Sequence, residues 1–454
     1  LRSSDFIFGF FFIVLASRFL DMADFGKLMY AVSYTAIFAI FAEMGLSRYL
    51  MLNTAQNSRV NRPFLRKTTL LKHAFSGLSY FVMLIVILFL KNEWQARVLV
   101  AVIGFSVILL SYSIFYNSIF RSLERTSFQF VAAFWEKPIL LILTVVFALS
   151  GWGLLAFGVA ILLSRVIPLL IARYLLQKKI EYDPQDDDSS INLVLKNSLP
   201  FALFAIFGSI YNQIDTVILS SLKGDEAVAI YQAALRLILI ILVLPEAITE
   251  SIFPRLTQLY SSSSNDRFSF QRRSVKFLVL VGFMVSMIFF ILSDVLIRVI
   301  YGEQYLEASL ILKLMSGILV IRFSAYVLGT ALTAAMQQTT RTIAVAMTCV
   351  INIALNFWLI PKYGVIGATV SAIATNVFLL ILYAVAAWRR SLMRFSDYLV
   401  ELVTATALFV ICLILNSQAL AALLLFSALV FFWFSFNPMQ YLRFISVSLQ
   451  KKIF

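Results

Sequence analysis

The 454-residue chain is 61% hydrophobic and 13% charged, with a mean hydropathy of +0.92 and a formal net charge of +14. That composition excludes a soluble globular domain, whose interior could not hide so much apolar surface. The apolar runs are long and lack strict alternation, which excludes a barrel and leaves helices as the spanning elements.

A bilayer core about 30 Å thick takes roughly 20 helical residues. In chain order the apolar segments predict about fourteen membrane helices, at 3–20, 27–52, 73–90, 98–120, 128–149, 154–175, 197–222, 228–250, 275–297, 309–335, 343–360, 365–388, 398–415 and 419–436. Ser150-Gly-Trp-Gly153 and Pro361-Lys-Tyr-Gly364 are short junctions at which Gly and Pro end one helix and let the chain reverse. Pro138 and Pro245 remove backbone donors and predict kinks. Gly364, Ala368 and Ala372, like Gly367, Ser371 and Thr375, recur every four residues, a pattern read as close helix packing.

The 37 Lys and Arg divide unevenly between the two sides of this layout. Loops after even-numbered helices, with both tails, hold 24, among them Arg59, Arg62, Arg66, Lys67 and Lys72; loops after odd-numbered helices hold 7, and 6 lie within spans. The positive-inside rule then places both termini in the cytoplasm. Cationic loops on that side meet anionic lipid headgroups, so the net charge points to membrane lipid and to no nucleic acid partner. Cys349 and Cys412 are far apart in predicted helices, and no metal-ligand spacing or cofactor motif is present. His73 stands alone at a helix start, read as interfacial. No cleavable leader is expected, and a start at Leu1 suits either an alternative start codon or a missing N-terminal stretch. Met439 to Phe454 alternate apolar and basic residues, as an interfacial helix does.

The junction Gly151-Trp-Gly153 after the fifth helix resembles Tyr363-Gly364 after the eleventh, and Gly26-Lys-Leu-Met-Tyr30 after the first resembles Ala229-Ile-Tyr231 after the seventh. These matches predict a duplicated unit: an N-lobe of six helices at 1–176, a cytoplasmic linker at 177–196 with Asp186-Asp187-Asp188, and a C-lobe of six helices at 197–388. Two further helices and the tail fill 389–454. With six helices each, the lobes are parallel repeats.

An ordered set of residues carries a family resemblance: Phe25-Gly26 with Tyr30; Glu43-Met-Gly45-Leu46; Asp215; Ala229-Ile-Tyr-Gln-Ala-Ala234 with Arg236; Pro254-Arg-Leu256; and Ile360-Pro-Lys-Tyr-Gly-Val-Ile-Gly-Ala368 through Asn376. Together they resemble the oligosaccharide (O-antigen type) flippases, of the superfamily that includes the multidrug and toxin extrusion transporters and the lipid II flippases. The resemblance implies an all-α integral membrane fold with about fourteen helices, two MATE-like lobes and two extra C-terminal helices. It implies export of an undecaprenyl-pyrophosphate-linked oligosaccharide repeat unit from the inner to the outer leaflet of a bacterial cytoplasmic membrane. Polysaccharide polymerase and chain-length or ligase proteins are the partners it implies; no cofactor is expected.

Charges inside membrane helices cost about 2.5–3.5 kcal/mol at the centre, so such residues face a wet cavity or a partner. Arg165 and Arg322 fall near mid-membrane, Arg48 one turn from the inner end, and Arg236 and Asp215 roughly 12 and 10 Å below the outer surface. Arg48, Arg165, Arg236 and Arg322 are candidates to line a cationic cavity and hold pyrophosphate, which suits the guanidinium fork. Ion pairing is the competing reading, with Asp215 opposite Arg236 and with Arg48 as an interfacial snorkeller. Lys137 beside Glu136 reads as a local charge pair. Asp215 and Glu43 are the candidates for coupling to an ion gradient; Glu246 and Glu250, four apart, read first as facing cytoplasmic water.

A cation-coupled drug antiporter would favour acidic and aromatic cavity residues and stop at twelve helices. A lipid II flippase shares the pyrophosphate headgroup and is not separated from the first reading by sequence. A membrane polymerase or ligase would need a sizeable external loop, and the longest here is Arg298 to Ala308. No nucleophile–base pairing or phosphate loop is present, so a transporter is expected rather than an enzyme.

Overall fold

The structure, a computed structural model, describes residues 2–57, 60–180, 182–183, 190–261, 266–390, 392 and 396–436. Sixteen α-helices run through these residues: α1 (Arg2–Phe19), α2 (Met22–Glu43), α3 (Leu46–Asn57), α4 (Arg62–Leu90), α5 (Trp94–Ser122), α6 (Thr126–Phe134), α7 (Glu136–Leu149), α8 (Leu154–Lys179), α9 (Ile191–Lys223), α10 (Asp225–Ile241), α11 (Val243–Ser261), α12 (Asp266–Ile300), α13 (Ala308–Ala334), α14 (Gln338–Arg389), α15 (Ser396–Leu415) and α16 (Gln418–Phe436). Two short strands, β1 (Val60–Asn61) and β2 (Tyr182–Asp183), pair in parallel with Val60 opposite Tyr182. The expected interfacial helix at Met439 to Phe454 and the linker's Asp186-Asp187-Asp188 lie outside the described residues.

The fourteen-segment layout is recovered once the breaks are counted. Ten helical stretches have the length and hydropathy to cross a bilayer, the longest is two helices joined at a reversal, and α1, α15 and α16 contain the shorter apolar runs Phe8–Phe19, Leu402–Leu415 and Gln418–Leu429. Three predicted spans are each interrupted once. Pro138 and Pro245 stand third in α7 and α11, where neither can donate to the carbonyl four residues back. Those carbonyls belong to Phe134 and Ile241, the last residues of α6 and α10, so each helix stops where its donor is missing. Between α2 and α3 the chain turns through Met44 (φ 43°) and Gly45 (φ 70°), and a side chain at Gly45 would stand 2.4 Å from the Ser198 carbonyl oxygen.

The reversal inside α14 occurs at Gly364 (φ 56°, ψ −129°). Eight residues of straight helix would cover about 12 Å, yet a Cβ on Gly367 would lie 2.3 Å from the Leu359 carbonyl oxygen. Side-chain caps start several helices: Asp21 accepts from the Asp24 N–H at 2.7 Å, Asn61 from Phe64 at 2.8 Å and Ser190 from Leu193 at 3.2 Å.

Contacts divide the chain into two compact units, one of Leu1–Gln232 with Val345–Ser371, the other of Ala233–Ala344 with Ala372–Phe454. In the first, α2 packs against α4, α5 and α9. Polar side chains meet main-chain oxygens along it: Tyr34 donates to the Met83 carbonyl at 2.8 Å, Ser79 to Phe38 at 2.7 Å and Ser209 to Ala36 at 3.0 Å. In a bilayer such bonds spare these three hydroxyls an unsatisfied donor in hydrocarbon. An apolar cluster including Leu46, Leu50, Phe64, Phe115, Phe120 and Val194 fills one end of this unit.

At the other end α2 begins against the start of α10. Lys91 pairs with Asp225 at 2.7 Å and lies over the Tyr30 ring, Ser220 donates to the same carboxylate, and Lys27 pairs with Glu93 at 3.1 Å. A Cβ on Gly26 would come within 1.9 Å of the Asp225 carbonyl oxygen. Gly26→Ala is therefore expected to cost about 1–3 kcal/mol through overpacking. Thermal unfolding in detergent checks this, and an unshifted midpoint would contradict it.

In the second unit α13 is the central helix, packed on α11, α12 and α15. Glycines set its close approaches: a Cβ at Gly282 of α12 would meet Phe323, and one at Gly317 would meet the Phe409 ring of α15. Phe409 also packs edge-on against Phe290.

Candidate functional site

Arg165 lies eleven residues into α8, about 17 Å along the axis from Leu154. Its Nη1 donates to Ser106 Oγ at 2.8 Å, and that hydroxyl's own proton goes to the Ile103 carbonyl at 2.6 Å, so Ser106 holds the guanidinium as an acceptor. Glu136 Oε1 lies 3.9 Å from Arg165 Nε and 2.8 Å from Lys137 Nζ. The break before α7 brings Glu136 and Lys137 to this depth. Lys137 thus belongs to a three-charge group with one net positive charge.

Glu43, the last residue of α2, receives Lys72 on Oε2 at 2.6 Å and the Ser47 N–H on Oε1 at 3.0 Å. Lys72 is wholly buried and also donates to the Ala42 carbonyl at 3.0 Å; Ser111 Oγ closes the group. This corrects the placement of Lys72 in a cytoplasmic loop: α4 begins at Arg62, so Lys72 stands ten residues inside a helix. Arg48, on α3, is exposed and makes no ion pair among the described residues. His73 meets Tyr112 on α5, one step along from Lys72 and Ser111.

Asp215 of α9 is buried, at 8% exposure. Its Oδ2 accepts from Tyr231 Oη at 3.0 Å and its Oδ1 from Asn356 Nδ2 at 2.5 Å. Asn356 Nδ2 also donates to the Asn352 carbonyl at 2.9 Å, and Asn356 Oδ1 is buried without a partner among the described residues. One residue further along both helices, Gln232 donates to Thr216 at 2.5 Å and reaches Ser33 of α2 at 3.5 Å. A phenol and an amide thus hold the two Asp215 oxygens.

In the second unit, Arg236 is half-buried on α10 within electrostatic range of Tyr301. Arg322 Nε donates to Asn376 Oδ1 at 2.8 Å, and Asn376 is pinned by its own Nδ2 to the Ala372 carbonyl at 2.7 Å. From Met315 to Thr333, α13 keeps surface only at Arg322, Tyr326, Thr330 and Thr333, one polar face of an otherwise buried helix. A polar face at this depth is the opposite of what contact with lipid would select. Arg341 donates to Thr333 at 2.9 Å beside Gly329, and Tyr326 is within electrostatic range of Arg322, Glu246 and Arg341. Glu246 is half-buried and Glu250 exposed.

Comparison with known proteins names the family. The family model described as "Polysaccharide biosynthesis protein" matches residues 2–260, more than half of the chain. The chain belongs to this family. A second family model, "MatE", matches residues 200–358. Two relatives within the family's reach are "Probable low-salt glycan biosynthesis flippase Agl15" of Haloferax volcanii, 26% identical over 171 residues, and "Capsular polysaccharide biosynthesis protein CapF" of Staphylococcus aureus, 24% identical over 189 residues. The matches cover 37% and 41% of this chain; the chain spans only 36% and 47% of those relatives' lengths. A solved structure, "Lipid II flippase MurJ, inward closed conformation", superposes with a TM-score of 0.70 over 96% of this chain and 97% of that one, at 17% identity. The polysaccharide biosynthesis protein thus has the fold of that solved flippase.

The sequence pointed to Arg165, Arg322 and Asp215 but missed what holds them. Asn356 and Asn376 each sit four residues past the main-chain carbonyl that fixes them, and an Asn mid-span was the available signal. Lys72 and Glu136 escaped because their partners are distant in sequence or were read only as neighbours.

Proposed function

We propose that this protein is a flippase that moves an undecaprenyl-pyrophosphate-linked oligosaccharide repeat unit from the inner to the outer leaflet of a bacterial cytoplasmic membrane. Both termini lie in the cytoplasm, and lobes at 1–176 and 197–388 alternate access. The product feeds a polymerase and chain-length or ligase proteins in surface polysaccharide synthesis. The observation that carries the reading is that Arg165 and Arg322 are each held at mid-helix by a neutral acceptor, Ser106 and Asn376. Guanidinium groups oriented within membrane spans suit an anionic headgroup. Arg48 and Arg236 complete the set along the path.

Asp215 is the ion-coupling group on this reading: a phenol and an amide hold its two oxygens, whereas Glu43 is neutralised by Lys72. The test is delivery of a labelled undecaprenyl-pyrophosphate oligosaccharide to the far face of proteoliposomes, with Arg322→Ala expected to abolish it while the protein stays folded. Movement of lipid II in its place, or of small organic cations, would overturn the assignment.

The membrane potential supplies part of the drive. About two negative charges on the pyrophosphate gain roughly 4.6 kcal/mol per 100 mV on moving outward, at about 2.3 per charge. Dissipating the potential alone is expected to slow delivery. An unchanged rate would show that the headgroup's charge does not cross the field.

A further inference from the structure

The group around Arg165 has a feature that a structural ion pair would lack. A carboxylate dedicated to an arginine normally takes two N–H groups in a fork. Here Glu136 Oε1 is 2.8 Å from Lys137 but 3.9 Å from Arg165 Nε, beyond hydrogen-bond range. Arg165 uses Nη1 on Ser106, and among the described residues neither Nε nor Nη2 has a hydrogen-bond acceptor. The group is not sealed away either: the Arg165 side chain keeps 17% exposure, Lys137 20% and Glu136 13%. Two cations at this depth therefore share one carboxylate oxygen, with donors to spare and part of their surface uncovered.

We propose that Arg165 and Lys137 form a phosphate subsite and that Glu136 is its resident counter-ion, whose place beside the cations the substrate phosphate takes. This rests on the flippase reading above and assigns Lys137 and Glu136 roles in it. When the subsite is empty, Glu136 offsets the repulsion between two cations that hydrocarbon would otherwise make costly. When a pyrophosphate arrives, Arg165 offers its free edge to two oxygens and the Lys137 ammonium turns to a third. The carboxylate then repels the ligand, which weakens binding and aids release.

The experiment is equilibrium binding of farnesyl pyrophosphate, and separately of inorganic pyrophosphate, to detergent-purified full-length protein. Glu136→Gln is expected to bind both probes about tenfold more tightly, because the ligand then faces two positive charges without the opposing one. Lys137→Gln and Arg165→Gln are each expected to bind about tenfold more weakly by the same reasoning. The double variant Glu136→Gln/Lys137→Gln restores the net charge and should lie within about threefold of the intact protein. If Glu136→Gln alone does not fold, the comparison of the double variant with Lys137→Gln carries the test, the double variant binding more tightly. Weaker or unchanged binding on loss of Glu136 overturns the counter-ion role. Flipping assays on the same variants separate the two readings. Intact protein that flips the lipid-linked saccharide while the predicted binding order fails overturns the subsite alone. Intact protein that shows the order but flips nothing overturns the flippase reading and leaves the anion subsite standing.

Discussion

Lys72→Ala is expected to cost about 3–5 kcal/mol of stability, the usual penalty for leaving one member of a buried ion pair alone. Lys72 is fully enclosed, and its ammonium serves Glu43, Ser111 and the Ala42 carbonyl together. Losing it strands the Glu43 carboxylate and releases the end of α2 just before the left-handed turn at Met44 and Gly45. Because folded proteins have only about 5–15 kcal/mol in hand, little monodisperse protein should survive extraction. Replacing both partners, as Lys72→Met with Glu43→Gln, should recover most of the loss: the amide oxygen still accepts the Ser47 N–H, and no charge remains to be neutralised. Unfolding midpoints of the two single variants and the double variant measure the coupling directly. A Lys72→Ala protein within about 1 kcal/mol of the intact one, as for an exposed pair, would mean that water reaches this group.

Lys72 also shows where sequence reasoning reaches its limit. Hydropathy locates the apolar part of a helix but not its first turns, and α4 extends eleven residues before the apolar run predicted from 73. A lysine in those turns reads as loop, since nothing local announces that Glu43 and Ser111, on other helices, converge on it. The helix breaks were more legible, because their cause is local. Pro138 and Pro245 fix the ends of α6 and α10 through one missing donor each, and Gly364 permits the positive φ at which α14 turns back. The turn at Met44 was hidden because a left-handed methionine has no sequence signature; only Gly45 hinted at it.

The charged candidates divide along the same line. That Arg165, Arg322 and Asp215 lie inside helices follows from the chain alone, because each interrupts an apolar run. Their chemistry depends on the partner. Glu43 and Asp215 look alike in sequence, yet one is held by an ammonium and the other by a phenol and an amide. The proposed coupling role therefore falls to Asp215, whose two oxygens are held by hydrogen-bond donors that carry no charge.

Asp215→Asn is expected to leave the protein folded and to remove the response of transport to an ion gradient while preserving its response to membrane potential. One pH unit is worth about 1.4 kcal/mol per proton, a factor of ten, so intact protein should speed up by as much as about tenfold across such a gradient and the variant not at all. Flipping rates in proteoliposomes under separately imposed proton, sodium and potential gradients make the measurement. A variant that still follows the chemical gradient would remove Asp215 from the coupling mechanism. The expectation that it folds rests on Asn356. Ionised Asp215 accepts from Asn356 Nδ2, which leaves Asn356 Oδ1 buried and unpartnered. An amide or a protonated carboxyl at position 215 supplies a donor instead, and a half-turn of the Asn356 amide presents the idle oxygen to it, giving up the bond to the Asn352 carbonyl. On the proposed coupling role, each charge state of Asp215 would select one orientation of a side chain on α14, and a proton on α9 would become a change in helix contacts. Asn356→Ala removes that reader, and should uncouple transport from the gradient although Asp215 is still present.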